Sequence, residues 1–202
     1  MKFNSFIIRE GKIPSSPNYL ISTKMPDDEK LKAKVYIDGA NIFYTQKKLE
    51  WNLNWAKVKN YIENDKIIIE WRYYIGIKDT DEKMRGYLKY LGAIGFNTIT
   101  KMLKKIKLDG GDTIIEMHNS KFIYKANFDV EITTDILLDK SKVDEIILFS
   151  GDSDFRYLVR RLKDLGMRIT ICASRKTISW ELKLEADKIV YLEDIKSEIL
   201  RE

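Results

Sequence analysis

Two aspartates stand two residues apart in "ILFSGDSDFRYLVRRLKDLG" (147–166), where an apolar run gives way to Ser150-Gly151-Asp152-Ser153-Asp154 and then to a basic amphipathic segment. A carboxylate at such a boundary can cap the following helix by accepting hydrogen bonds from its free N–H groups. It can also hold a hard cation, magnesium or manganese, through oxygen. One cap needs one residue, whereas four capping-type side chains stand together here. A further acid, Asp38 in "VYIDGANIF", ends another apolar run, with Asn41 three residues on. Asp129 opens "DVEITTDILLDK", and Asp135 lies six residues along the same segment. Six helical residues are ~600° of rotation and ~9 Å of rise, so Asp135 cannot share a face with Asp129, though it can border a common crevice. Convergence of Asp38, Asp129, Asp152 and Asp154 costs repulsion unless cations neutralise it. That favours a metal centre over a set of caps.

The elements that must position these acids alternate. Residues 34–38, 66–76, 96–103 and 144–150 read as strands, as do "MRITICA" and "KIVYL". Segments 41–49, 79–95, 129–140 and 154–166 read as helices, as does a stretch after Asn54, which is placed to cap it. Gly166 suits a helix end. Such alternation predicts an α/β fold, a mainly parallel sheet of five to six strands with helices on both faces. In an open parallel sheet ligands sit beyond the carboxyl ends of the strands, which is where Asp38 and the Asp152/Asp154 pair fall. Residues 112–126 read as a hairpin with His118-Asn119-Ser120 at its tip, making His118 a turn residue. Residues 1–33 hold all three prolines and no sustained periodicity, hence an N-terminal extension before a domain spanning 34–202.

Composition narrows the chemistry. With one cysteine, Cys172, and one histidine, a zinc site built from several Cys or His ligands is excluded, as is a histidine pair for metal-free ribonuclease chemistry. The lone cysteine and the lack of any ~20-residue apolar run predict a cytoplasmic protein with no membrane partner. A net charge of +5 and a pI near 9.0 are compatible with a nucleic-acid partner.

Four blocks carry a family resemblance: "VYIDGANIF", "KANFDVEITTDILL", "LFSGDSDFRYLVRRLKDLG" and "ISWELKLEADKIVYLEDI". In this order and spacing, over about 34–195, the chain resembles the NYN domain, a PIN-like nuclease fold with a Rossmann-like three-layer plan, in its bacterial LabA-like branch. The resemblance implies a magnesium or manganese site at Asp38, Asp129, Asp152 and Asp154, with Asn41 and Asp135 as neighbours. Where the family commonly reads Lys-Gly-Val-Asp-Val, this chain reads Lys125-Ala126-Asn127-Phe128-Asp129-Val130. The glycine is replaced and one residue is added, while the acid is kept.

The expected function is metal-dependent hydrolysis of a phosphodiester, with RNA as substrate and partner. The alternative is a regulatory nucleic-acid-binding module of the same fold with little turnover. Asn41 is expected to orient a water or a phosphate oxygen. Arg156 and Arg160, four apart on one helix face, with Arg161, are expected at the nucleic-acid backbone. Lys101, Lys104 and Lys125 are further candidates. A homo-oligomer is compatible with this reading.

Overall fold

The computed structural model describes residues 30–78, 81–107 and 122–202. Most of the expected extension, His118 and the tip of the expected hairpin lie outside them. In chain order the elements are β1 (Leu31–Asp38), α1 (Gly39–Leu49), α2 (Trp55–Glu63), β2 (Lys66–Ile77), α3 (Glu82–Ala93) and β3 (Phe96–Met102). There follow β4 (Lys104–Lys107), β5 (Phe122–Lys125), α4 (Asp129–Asp139), β6 (Glu145–Phe149), α5 (Arg156–Asp164), β7 (Arg168–Ala173), α6 (Trp180–Glu185), β8 (Lys188–Tyr191) and α7 (Lys196–Ile199). Asn54 caps α2 as expected, accepting from the Lys57 N–H at 3.2 Å. β1 begins at Leu31, three residues before the expected start, because Leu31–Ala33 already pair with Lys66–Ile68.

Six strands form one sheet in the order β3-β2-β1-β6-β7-β8, and every pairing in it is parallel. Both faces are buried, as a parallel sheet requires. Val35, Ile37, Trp71, Tyr73 and Phe149 pack against α1, α2, α3 and α7 on one side. Tyr36, Tyr74, Ile146 and Leu148 pack against α4, α5 and α6 on the other. β6 is buried along its whole length, which explains its unbroken apolar run.

From β1 the chain winds outward to β2 and β3, and later returns to lay β6 on the other side of β1. The strand order therefore reverses between β1 and β6, and a crevice opens beyond their carboxyl ends. The ends are neighbours, with Ile37 beside Phe149.

β4 and β5 form a separate antiparallel ribbon, with Lys104 opposite Lys125 and Lys107 opposite Phe122. Of the expected hairpin within 112–126, the first run and the tip lie outside the described residues; the second run forms strand β5, which pairs with the upstream "KKIK".

Candidate metal centre

Asp38 is the last residue of β1 and is buried. One of its oxygens accepts from the Asn41 N–H at 3.0 Å and caps α1; the other accepts from the Ser150 hydroxyl at 3.3 Å. Gly39 follows because nothing larger fits: a Cβ there would lie 2.5 Å from the Tyr74 carbonyl oxygen. Gly151, after β6, is held in the same way, since its Cβ would meet the Thr177 carbonyl oxygen at 2.7 Å. That close approach lays the Ser150–Asp154 turn over the crevice. Asp152 caps the turn with one oxygen, accepting from the Asp154 N–H at 3.1 Å. Its own N–H donates to Ser150 Oγ at 3.2 Å. Asp129 is the first residue of α4, and its N–H donates to Asn127 Oδ1 at 2.8 Å.

Asp38, Asp129 and Asp152 each offer a carboxylate oxygen within 4.8 Å of the others. Two oxygens on opposite sides of a magnesium ion, each ~2.1 Å from it, are ~4.2 Å apart, so the spacing suits one shared ion. The donor set fits a hard cation: all oxygen, all carboxylate. Among the described residues none of the three forms a salt bridge. Burial first, and the negative charges of Asp129 and Asp152 in addition, raise the Asp38 carboxyl to about 6. Asp129 is raised as well, by burial and then by Asp152 and Asp154. Capping and metal binding are therefore not exclusive, because Asp152 caps with one oxygen only and the second oxygen of Asp38, which accepts from the Ser150 hydroxyl, has a further lone pair.

The remaining expected site residues divide. Asp154 is exposed and outside the group of three, close enough to act on Asp129 through charge alone. Asp135 is no ligand of this centre: it accepts from the Tyr74 hydroxyl at 2.6 Å and pairs with Arg72 at 3.1 Å. The reason is the rotation along α4, which turns it down onto β2. Asn41 makes an unexpected positioning contact: its side-chain oxygen accepts from the Gly151 N–H at 3.0 Å. It ties the end of β1 to the turn after β6 and so positions both acids.

Among the cations, Arg156 pairs with Glu185 at 3.3 Å and Arg161 with Asp164 at 3.0 Å. Arg160 is exposed on the same helix. Lys101 pairs with Glu131 and donates to the Asn127 carbonyl at 2.8 Å, which pins the loop before Asp129. Lys104 and Lys125 face each other in the ribbon. Sequence reasoning gave no role to Asn127, whose signal was an amide two residues before an acid at a helix start.

A three-layer α/β fold with three carboxylates at the reversal point of its sheet defines a class of acidic-centre proteins, and comparison gives the family. The NYN domain profile matches residues 32–193, so the chain belongs to the NYN domain family, a PIN-like nuclease family. Over 165 residues it is 34% identical to the low amplitude and bright protein LabA of Synechococcus elongatus, covering 81% of this chain and 84% of that protein. A crystal structure of a protein of unknown function from Vibrio parahaemolyticus superposes with a TM-score of 0.68 at 25% identity, covering 88% of this chain and all of the other. Among the described residues no helix is long and apolar enough to cross a membrane.

Proposed function

We propose that this chain is a divalent-metal-dependent endoribonuclease that hydrolyses phosphodiester bonds in RNA. The observation that carries the reading is the group Asp38, Asp129 and Asp152, with oxygens within 4.8 Å and no cation paired to them among the described residues. A protein gains nothing from holding such a group next to phosphate unless a cation sits between. When bound, magnesium or manganese supplies a polarised phosphate oxygen and a nucleophilic water. The three aspartates hold the ion, Asn41 and Ser150 hold two of the aspartates, and Asp154 adds negative charge at the rim. Arg156, Arg160 and Arg161 on α5, with Lys101, Lys104 and Lys125, line the path of the RNA backbone. The single cysteine supports a cytoplasmic setting.

The test uses purified protein with labelled single-stranded RNA and DNA, in manganese, magnesium or EDTA. Cleavage of RNA with either metal and none in EDTA is expected, and Asp152→Asn should lose it while keeping the fold. Metal at a hundredfold excess over its Kd should stabilise the wild type by about 2.7 kcal/mol and the variant far less. RNA binding by the wild type with no cleavage in manganese would instead mark a regulatory binding module.

A further inference from the structure

Four of the five lysines along "KMLKKIK" and "FIYK" lie in the β4–β5 ribbon, and neither stretch has an acid. The ribbon leaves the main sheet at its carboxyl edge, where Gly76 and Ile77 of β2 pair with Lys101 and Met102 of β3. Leu103 anchors the departure: its N–H donates to the Ile77 carbonyl at 2.9 Å, and its side chain lies against Gly76. This is the edge that carries Asp38, and β5 ends at Lys125, four residues before Asp129. The ribbon therefore stands beside the acidic centre.

Register sorts its side chains. Residues directly opposite in an antiparallel pair share a face. Lys105 lies opposite Tyr124, and Phe122 is two positions from Tyr124 on the same strand, so one face carries two aromatic rings and a lysine. Tyr124 is 46% exposed and Phe122 36%. A second lysine, Lys78, sits over the Tyr124 ring at 3.7 Å, and Lys105 over the Phe122 ring at 4.0 Å. Two positions along one strand set the rings ~7 Å apart. On the other face Lys104 is directly opposite Lys125. Like charges so placed destabilise a strand pair, and a two-stranded ribbon is marginal to begin with. A polyanion would offset both costs.

We propose that the β4–β5 ribbon is a stacking platform for single-stranded nucleic acid, Phe122 and Tyr124 taking successive bases while Lys78 and Lys105 take the phosphates. Its role in feeding the acidic centre rests on the nuclease reading above; its binding does not. Exposed rings select single strands because bases inside a duplex are already stacked on each other.

The binding test uses the full chain in EDTA, with a short labelled oligoribonucleotide either single-stranded or annealed, read by fluorescence anisotropy. The single strand should bind at least about tenfold tighter than the duplex. Phe122→Ala with Tyr124→Ala should weaken it by about tenfold or more per ring, and F122W with Y124W should restore it. Lys78→Ala with Lys105→Ala should flatten the slope of log K against log salt by about 0.7 per lost contact. Equal affinity for duplex, or unchanged affinity in the double alanine variant, overturns the platform. Should that variant fail to melt cooperatively, ultraviolet cross-linking of the wild type decides. Adducts at Phe122 or Tyr124 support the proposal, and adducts confined to α5 overturn it. Manganese separates the two readings. Ring-dependent binding without cleavage removes the nuclease and leaves the platform, whereas cleavage with unchanged KM in the double alanine variant removes the platform and leaves the nuclease.

Discussion

Two groups of three carboxylates lie on the same side of β1 and β2, under opposite ends of α4, and they differ in their counter-charges. Near the start of the strands, Glu70, Asp135 and Asp139 meet three cations. Lys34 pairs with Glu70 and with Asp139 at 3.0 Å. Arg72 reaches all three acids at 2.9–3.1 Å, and Lys142 reaches Asp139 at 2.9 Å. Burial alone would raise Glu70 and Asp139, yet contacts from Arg72, Asn97 and Lys34 hold Glu70 at about 2, and Lys142, Lys34 and Arg72 do the same for Asp139. At the strand ends, Asp38, Asp129 and Asp152 meet no such partner among the described residues, and Asp38 is raised to about 6. The fold thus neutralises one acidic group with its own side chains, while the other keeps an arrangement compatible with a divalent cation.

The largest effect should come from reversing this assignment. Arg72→Met removes a cation that three acids share, strips Asp135 of its ion pair and leaves Glu70 and Asp139 with Lys34 and Lys142, which should cost about 3 kcal/mol. Asp38→Asn at the other end should cost far less in EDTA and can stabilise, because it removes charge from a repelling group. Urea denaturation of both variants in EDTA checks the contrast. If Asp38→Asn is the more damaging of the two, its role is capping α1 and the comparison fails.

Acid titration should expose the same difference with opposite signs. The Asp38 carboxyl is raised from 3.8 to about 6 on folding, so the native state binds more protons than the unfolded chain between those values. Stability of the metal-free protein should therefore fall as pH rises from about 4 to about 6, by up to about 3 kcal/mol. Asp139 and Glu70 are depressed, so their contribution is present above about pH 4 and lost as pH falls toward 2. Melting against pH in EDTA should peak near pH 4–5, and Asp38→Asn should flatten the upper limb only. A curve rising steadily to pH 7 would mean that Asp38 is ionised in the native state and already neutralised by the protein.

How much of this was legible beforehand follows from what each residue depends on. Asp38 and Asp152 were readable because an acid that ends an apolar run has its position set by its own strand, and parallel strands put such ends at one edge. Asp135 was not, because its partners Arg72 and Tyr74 come from β2, some sixty residues earlier, and helical rotation says only which face it leaves. The positioning contact of Asn41 was not readable, since the N–H that occupies its oxygen belongs to Gly151, 110 residues away. The ribbon was half readable: β5 shows its β-branched and aromatic residues, while the pairing with Lys104–Lys107 depends on a register that no local pattern encodes.

The smallest expected effect bears on how the unneutralised group is kept in place. Ser150 is fully buried; its hydroxyl donates to Asp38 at 3.3 Å and accepts from the Asp152 N–H at 3.2 Å. One side chain thus joins two of the three acids. Ser150→Ala removes a donor that favours the ionised Asp38 and leaves the Asp152 N–H without its acceptor. Both bonds are long, so the stability loss should be about 1 kcal/mol. The functional sign is more telling than the size. With the donor gone the Asp38 carboxyl rises further, protons compete with metal to higher pH, and the pH at which manganese binds half-maximally should move upward. Calorimetric titration with manganese from pH 5.5 to 8 reads that shift directly. Asp152 held in place by its second bond, from the Asp154 N–H, keeps the centre assembled, so affinity at pH 8 should be nearly intact. A uniform loss of affinity at every pH would show that Ser150 acts on the geometry of the Asp152 turn and not on the charge of Asp38.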